Sequence, residues 1–168
     1  MKRIGFGQVE PNHLSAQRNG KIYAQLPADK AIKVLENGMF AKYDYANGEV
    51  NFDGEGEWML VLNEVKLYDD AWRESYKDFA LMPDNRGDIT PRLFKTDIGD
   101  IFTTNCIAVA GVKGEEVDMG EIALNDKLSP NANGYLAKNV ENATMEWKVV
   151  KVYTMPDGQE GVKLQRVK

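Results

Sequence analysis

Histidine and cysteine are almost missing from this chain: His13 and Cys106 are the only ones in 168 residues. A single cysteine excludes an intrachain disulfide and any cysteine-rich metal site. A single histidine, in an irregular stretch, leaves no ready source for a His-dependent catalytic triad. Long apolar runs are missing too. The densest, Trp58 to Leu62, falls far short of the about 20 residues that a membrane helix needs. The opening, Met1 to Glu10, has the charge of a secretion signal without its apolar core, so synthesis in a cytoplasm without secretion is expected.

Basic excess is also lacking. A net charge of −5 argues against a direct nucleic-acid binder, which usually carries a basic face. Gly5-Phe-Gly7 lacks the third glycine and the preceding strand of a dinucleotide fingerprint, and no Gly-Lys-Ser/Thr phosphate loop occurs. Asp44 to Glu57 is rich in acids and glycines but does not match calcium-loop spacing. Neighbouring acids such as Asp69-Asp70 and Glu115-Glu116 point to opposite faces of a strand, so they read as solvated surface. Arg86-Gly87-Asp88 is what a polar loop needs, and Asn142-Ala143-Thr144 is a glycosylation acceptor only in a secreted chain. No enzyme, cofactor or metal role is expected.

What the chain does contain is a composition for one globular domain, 43% hydrophobic and 28% charged. Its charge is uneven. Residues 1–30 hold Lys2, Arg3, Arg18, Lys21 and Lys30 against Glu10 and Asp29, a net +3, so the remainder carries −8. Such a basic end is either an arm for an acidic partner or neighbouring subunit, or a solvated terminus. Residues 1–21 have no apolar period and are expected to form an extended N-terminal arm, with 22–168 as a β domain. The arm offers Ile4, Phe6, Val9 and Leu14 as apolar anchors, and Arg18 and Tyr23 as further partner-binding candidates.

Along the body, short β-favouring runs alternate with Gly, Asn and Asp turns, which predicts a mainly β fold, a small sandwich or barrel with one or two short helices. The organising stretch is Thr90 to Ala110, where runs at Leu93-Phe94 and Ile101 to Val109 flank a turn at Asp97-Ile-Gly-Asp100. The second run reads as a central strand, with Cys106 a buried thiol. Ile32 to Leu35 and Met39 to Tyr45 read as a hairpin around Asn37-Gly38, preferred to a short helix within Ala28 to Glu36. Met39, Ala41, Tyr43 and Tyr45 would share a face. Trp58 to Leu62 is a strand buried on both sides, and Ile22 to Leu26 and Ile122 to Leu128 are shorter candidates. Core is expected at Trp58, Leu60, Leu62, Phe94, Ile101 and Ile107. Val112 to Gly120 reads as a turn, Ser129 to Gly134 as a flexible loop, and Trp147 to Tyr153 with Gly161 to Val167 as a terminal hairpin. Tyr68 to Lys77 is the other short helix candidate. There Tyr68, Trp72 and Tyr76 would form a stripe, read first as core packing and second as a subunit contact.

The succession Glu36-Asn-Gly-Met39, Leu67-Tyr-Asp-Asp70, Asp78-Phe79, Pro91-Arg92 and Gly99-Asp-Ile-Phe-Thr103 resembles the decoration, or cement, proteins of tailed-bacteriophage heads. The likeness runs from about Leu35 to Leu128, and Val9 to Gln17 with Ile22 to Leu26 is similar to extensions on such proteins. It implies a structural virion protein on the capsid exterior, made in the host cytoplasm. Its partners would be the major capsid protein and, as a homo-oligomer or lattice neighbours, further copies of itself. The length of the chain and its 129–145 segment depart from the simplest relatives, which keeps a head-fibre base or another virion adaptor open. A carbohydrate- or nucleic-acid-binding β-barrel that uses exposed aromatics is the remaining alternative.

Overall fold

The computed structural model describes residues 1–10, 24–63, 80–81, 89–107 and 115–168. Among them the fold is all β, with no helix. The strands are β1 (Lys2–Ile4), β2 (Leu35–Glu36), β3 (Phe40–Asp44), β4 (Glu49–Asn51), β5 (Met59–Val61), β6 (Ala80–Leu81) and β7 (Leu93–Phe94). They continue with β8 (Ile101–Thr104), β9 (Glu116–Asp118), β10 (Lys127–Pro130), β11 (Leu136–Ala137), β12 (Trp147–Thr154) and β13 (Glu160–Arg166). All the strand pairings are antiparallel: a five-stranded sheet β11-β10-β12-β13-β8, a four-stranded sheet β4-β3-β5-β7, and the pairs β1-β9 and β2-β6.

The four-stranded sheet is apolar on both faces because its strands alternate between two cores. Phe40, Trp58 and Leu60 enter a core shared with Phe102, Leu128, Trp147, Val149 and Leu164 of the five-stranded sheet. Met39, Ala41, Tyr43, Met59, Val61 and Leu93 enter a second core with Ile32, Leu35, Cys106 and Tyr135. Sheet-on-sheet contact is made by aromatics: Phe102 lies edge-on to Trp147 with centroids 4.7 Å apart, and Phe40 reaches both. Trp58, Leu60 and Ile107 are buried as expected. Leu62 and Phe94 flank the first core half-buried, and Ile101 is also half-buried.

Several expectations are corrected. The Asn37-Gly38 break is a turn, with Gly38 at φ +102°, but not a hairpin. β2 pairs with β6, and β3 pairs with β4 through Asn47-Gly48 and with β5. Backbone bonds from Gly38 to Val61 (2.9 Å) and from Val61 to Met39 (2.8 Å) draw β5 in where the hairpin partner would have been. Within Ala28 to Glu36 there is no helix, and the Tyr68 to Lys77 candidate lies outside the described residues. Ala24 to Leu26 are not in a strand, and β10 begins only at Lys127, after a turn. Tyr45, placed with Met39, Ala41 and Tyr43, is 67% exposed because the strand ends at Asp44.

β8 ends its sheet, with its outer edge taken by Val9 opposite Thr104, and is not a central strand. Val112 to Gly120 contains β9, which pairs with β1. Ser129 to Gly134 is ordered: Ser129 and Pro130 pair with Ala137 and Leu136 around a turn held by the Asn131 side chain. At its tip Gly134 (φ +80°) accepts a 2.7 Å bond from the Phe40 amide, and a Cβ there would collide with the Phe40 carbonyl oxygen. The terminal hairpin forms as expected, as β12 and β13 with an irregularity at Val150.

Candidate functional site

The first ten residues belong to the body, which corrects the expectation of an arm separate from it. Residues 11–21 of that segment lie outside the described residues. β1 pairs with β9, Phe6 and Val9 are buried, and Ile4 is 53% exposed. Of the other partner-binding candidates, Leu14, Arg18, Tyr23, Tyr68, Trp72 and Tyr76 lie outside the described residues.

Strand alternation explains the split within β1. If Ile4 faces solvent, Arg3 must face inward, and it does, with its side chain wholly buried. An apolar pattern would have turned this strand over. What holds it is Glu36, presented by the last residue of β2 before the turn and also wholly buried. Arg3 Nη1 lies 2.6 Å from Glu36 Oε2 and donates to the Gly5 carbonyl at 3.2 Å. The Gly7 amide also donates to Glu36 Oε2, and the Tyr135 hydroxyl donates to Oε1 at 2.9 Å. A Cβ on Gly7 would collide with Cys106, so glycine is what lets the backbone approach the carboxylate. Cys106 Sγ stands 3.9 Å from Glu36 Oε2.

The environment fixes the protonation of the neighbours. Burial, then the Glu36 charge, pushes the Cys106 thiol well up, and the same two causes push the Tyr135 phenol up. Both therefore stay neutral donors to a carboxylate. With both oxygens occupied, Glu36 has the environment of a structural clasp, holding the N-terminal segment to β2 and to the β10–β11 turn.

Further ties run along the same segment. The amides of Lys2 and Ile4 donate to the side chains of Glu160 and Gln159, the latter at 2.7 Å. The Gln8 amide donates to Asn105 Oδ1 at 2.8 Å, and its side chain donates to Asp157. Tyr153 donates its hydroxyl to Glu10; burial, and then this bond, raise its pKa to about 12. Lys2 Nζ meets Glu116 at 2.6 Å on the surface. The basic start of the chain thus lies in an acidic bed made by β9 and the β12–β13 turn.

Tyr135 also lines an open cleft of about 650 Å³, with Asp29, Ile32, Met39, Phe52, Asp53 and Asn133 among others. Among the described residues no three His, Cys, Asp or Glu side chains gather as a metal site, and no helix is long and apolar enough to cross a membrane.

Sequence reasoning found the burial of Cys106 but missed Arg3, Glu36 and Tyr135 as a unit. In the sequence Arg3 reads as part of the basic arm, and Tyr135 simply follows a loop. The one available signal was Gly5-Phe-Gly7, glycines that admit close backbone approach beside a lone arginine. Compared with known protein families, with curated proteins and with solved structures, the chain matches none.

Proposed function

We propose that this chain is a structural virion protein of a tailed bacteriophage, binding the outer surface of the capsid and stabilising contacts between major capsid protein subunits. The observation that carries the reading is where the resembling residues fall among the described ones, Leu67 to Asp70 and Asp78-Phe79 lying outside them. Gly99-Asp-Ile-Phe-Thr103 forms a turn and β8, with Phe102 at the aromatic junction of the two sheets. Glu36-Asn-Gly-Met39 holds the clasp and a second tie, in which the Asn37 and Asn63 side chain and backbone bond each other at 2.7 and 3.1 Å.

A body cross-tied over sequence separations as large as 158 residues suits a protein that must transmit strain without local opening. Exposed apolar tips that such a contact could use include Ile98 on the Asp97–Asp100 turn and Leu124 on the turn before β10, at 72% and 59% exposed. The test is co-sedimentation of the purified chain with expanded capsids, followed by heating of the particles. Saturable binding that raises the temperature of particle rupture is expected, and Ile98→Asp should weaken it. Absence of binding, or imaging that places the chain on a fibre, overturns the reading.

A further inference from the structure

Residues 1–10 are held almost entirely by distant parts of the chain. Their side-chain bonds reach Glu36, Asn105, Glu116, Tyr153, Asp157, Gln159 and Glu160, and their backbone meets Thr103, Glu115 and Met119. The groove that receives them is acidic, while Lys2 and Arg3 are basic, so recognition is by complementary charge as well as by the Phe6 and Val9 anchors. Thirteen residues, 11–23, join this segment to the described body at Ala24. Fully extended, that length reaches about 45 Å.

We propose that the acidic groove is a self-association site, occupied by residues 1–10 of the same chain when dilute and by those of a second copy when copies are crowded. The exchange keeps every bond described above, including the buried Arg3–Glu36 pair, because a neighbour's segment is chemically identical. What decides between the two forms is concentration. A segment joined to its own groove by only thirteen residues meets it at an effective concentration on the order of mM. The closed chain therefore prevails at μM concentration, and exchange competes where copies are held side by side. The proposal does not rest on capsid binding and would hold for another crowded assembly.

The β1-β9 register provides the test. Ile4 and Glu116 face each other across the pair, and both side chains are exposed. Bonds from Gly5 to Glu115 and from Met119 to Met1 mark the flanking positions as the bonded ones. Ile4–Glu116 is then a close, non-bonded pair, whose Cα separation suits a disulfide. Three full-length samples are oxidised after refolding: the Ile4→Cys/Glu116→Cys double variant at μM concentration, and equal mixtures of the two single variants at μM and at mM concentration. The double variant should link within one chain. The mixture should yield a covalent heterodimer that dominates at mM and vanishes at μM concentration, with wild type as control for Cys106. Linkage within the double variant but no heterodimer in the crowded mixture overturns the proposal. Failure of the double variant to link overturns the register, and the proposal with it.

Discussion

Glu36 gathers the most consequential contacts of any single side chain described: an arginine, a phenol, a thiol and a backbone amide. Glu36→Gln keeps the shape but takes away the carboxylate charge that faces the buried Arg3 guanidinium at 2.6 Å. The expected loss is about 3–5 kcal/mol in denaturant melts. Replacing Arg3 and Glu36 together by Met and Leu should recover only part of it, since the apolar pair avoids the desolvation cost but takes the acceptor from the Gly7 amide and the Tyr135 hydroxyl. At the same spot Cys106 is fully buried, with its thiol pushed up by burial and by the Glu36 charge. Thiolate chemistry is suppressed on both counts. A thiol reagent should leave the native protein untouched and label it only as it unfolds; labelling as fast as that of a free thiol would contradict the burial.

At the level of elements, β5, like β3, is a strand that both cores share. Leu60 points into the core between the sheets, and Met59 and Val61 point into the other. Leu60→Ala should cost about 2–5 kcal/mol, because its neighbours Phe40, Trp58 and Trp147 are held by other contacts and cannot collapse into the space. A change within error of zero in a denaturant melt would remove Leu60 from the core. That this run is a two-faced strand was legible in Trp58 to Leu62, where five apolar residues in a row leave neither side for water. The partner of β3 was not legible. Asn37-Gly38 and Asn47-Gly48 carry the same hairpin signal, and only the second joins paired strands. The first was overridden when Val61 bonded Gly38 and Met39.

For the whole molecule, the N-terminal segment decides stability. Deleting residues 1–10 removes β1, strips Arg3 from Glu36 and opens the β8 edge, so the melting temperature should fall sharply or the transition disappear. An unchanged melting temperature would restore the idea of an arm independent of the body. Alkaline pH attacks the same joint. The folded pKa of Tyr153 is raised from 10.0 to about 12, first by burial and then by its bond to Glu10. Its native form favours the neutral phenol, so its contribution is fully present below pH 10 and is lost as pH rises through about 12. Melts across that window should show declining stability, and Tyr153→Phe should flatten part of the decline.

The amino-acid sequence by itself determined the β class, the two-faced strand at Trp58 to Leu62, the turn at Asp97 to Asp100, the terminal hairpin and the buried thiol. Each follows from interactions among residues close along the chain: alternation of apolar side chains, glycine where the backbone must reverse, and a cysteine within an apolar run. The tertiary structure alone decided that Arg3 turns inward while Ile4 turns out, that Ser129 to Gly134 is held, and that β2 pairs with β6. The first and the last depend on partners far along the chain, as in Arg3 with Glu36, and the 129–134 turn, braced locally by Asn131, is fastened by the Phe40 amide and through Tyr135 to Glu36. A buried charge is stable only where its counter-charge is delivered by the fold, and no local pattern in β1 announces that Glu36 will be there.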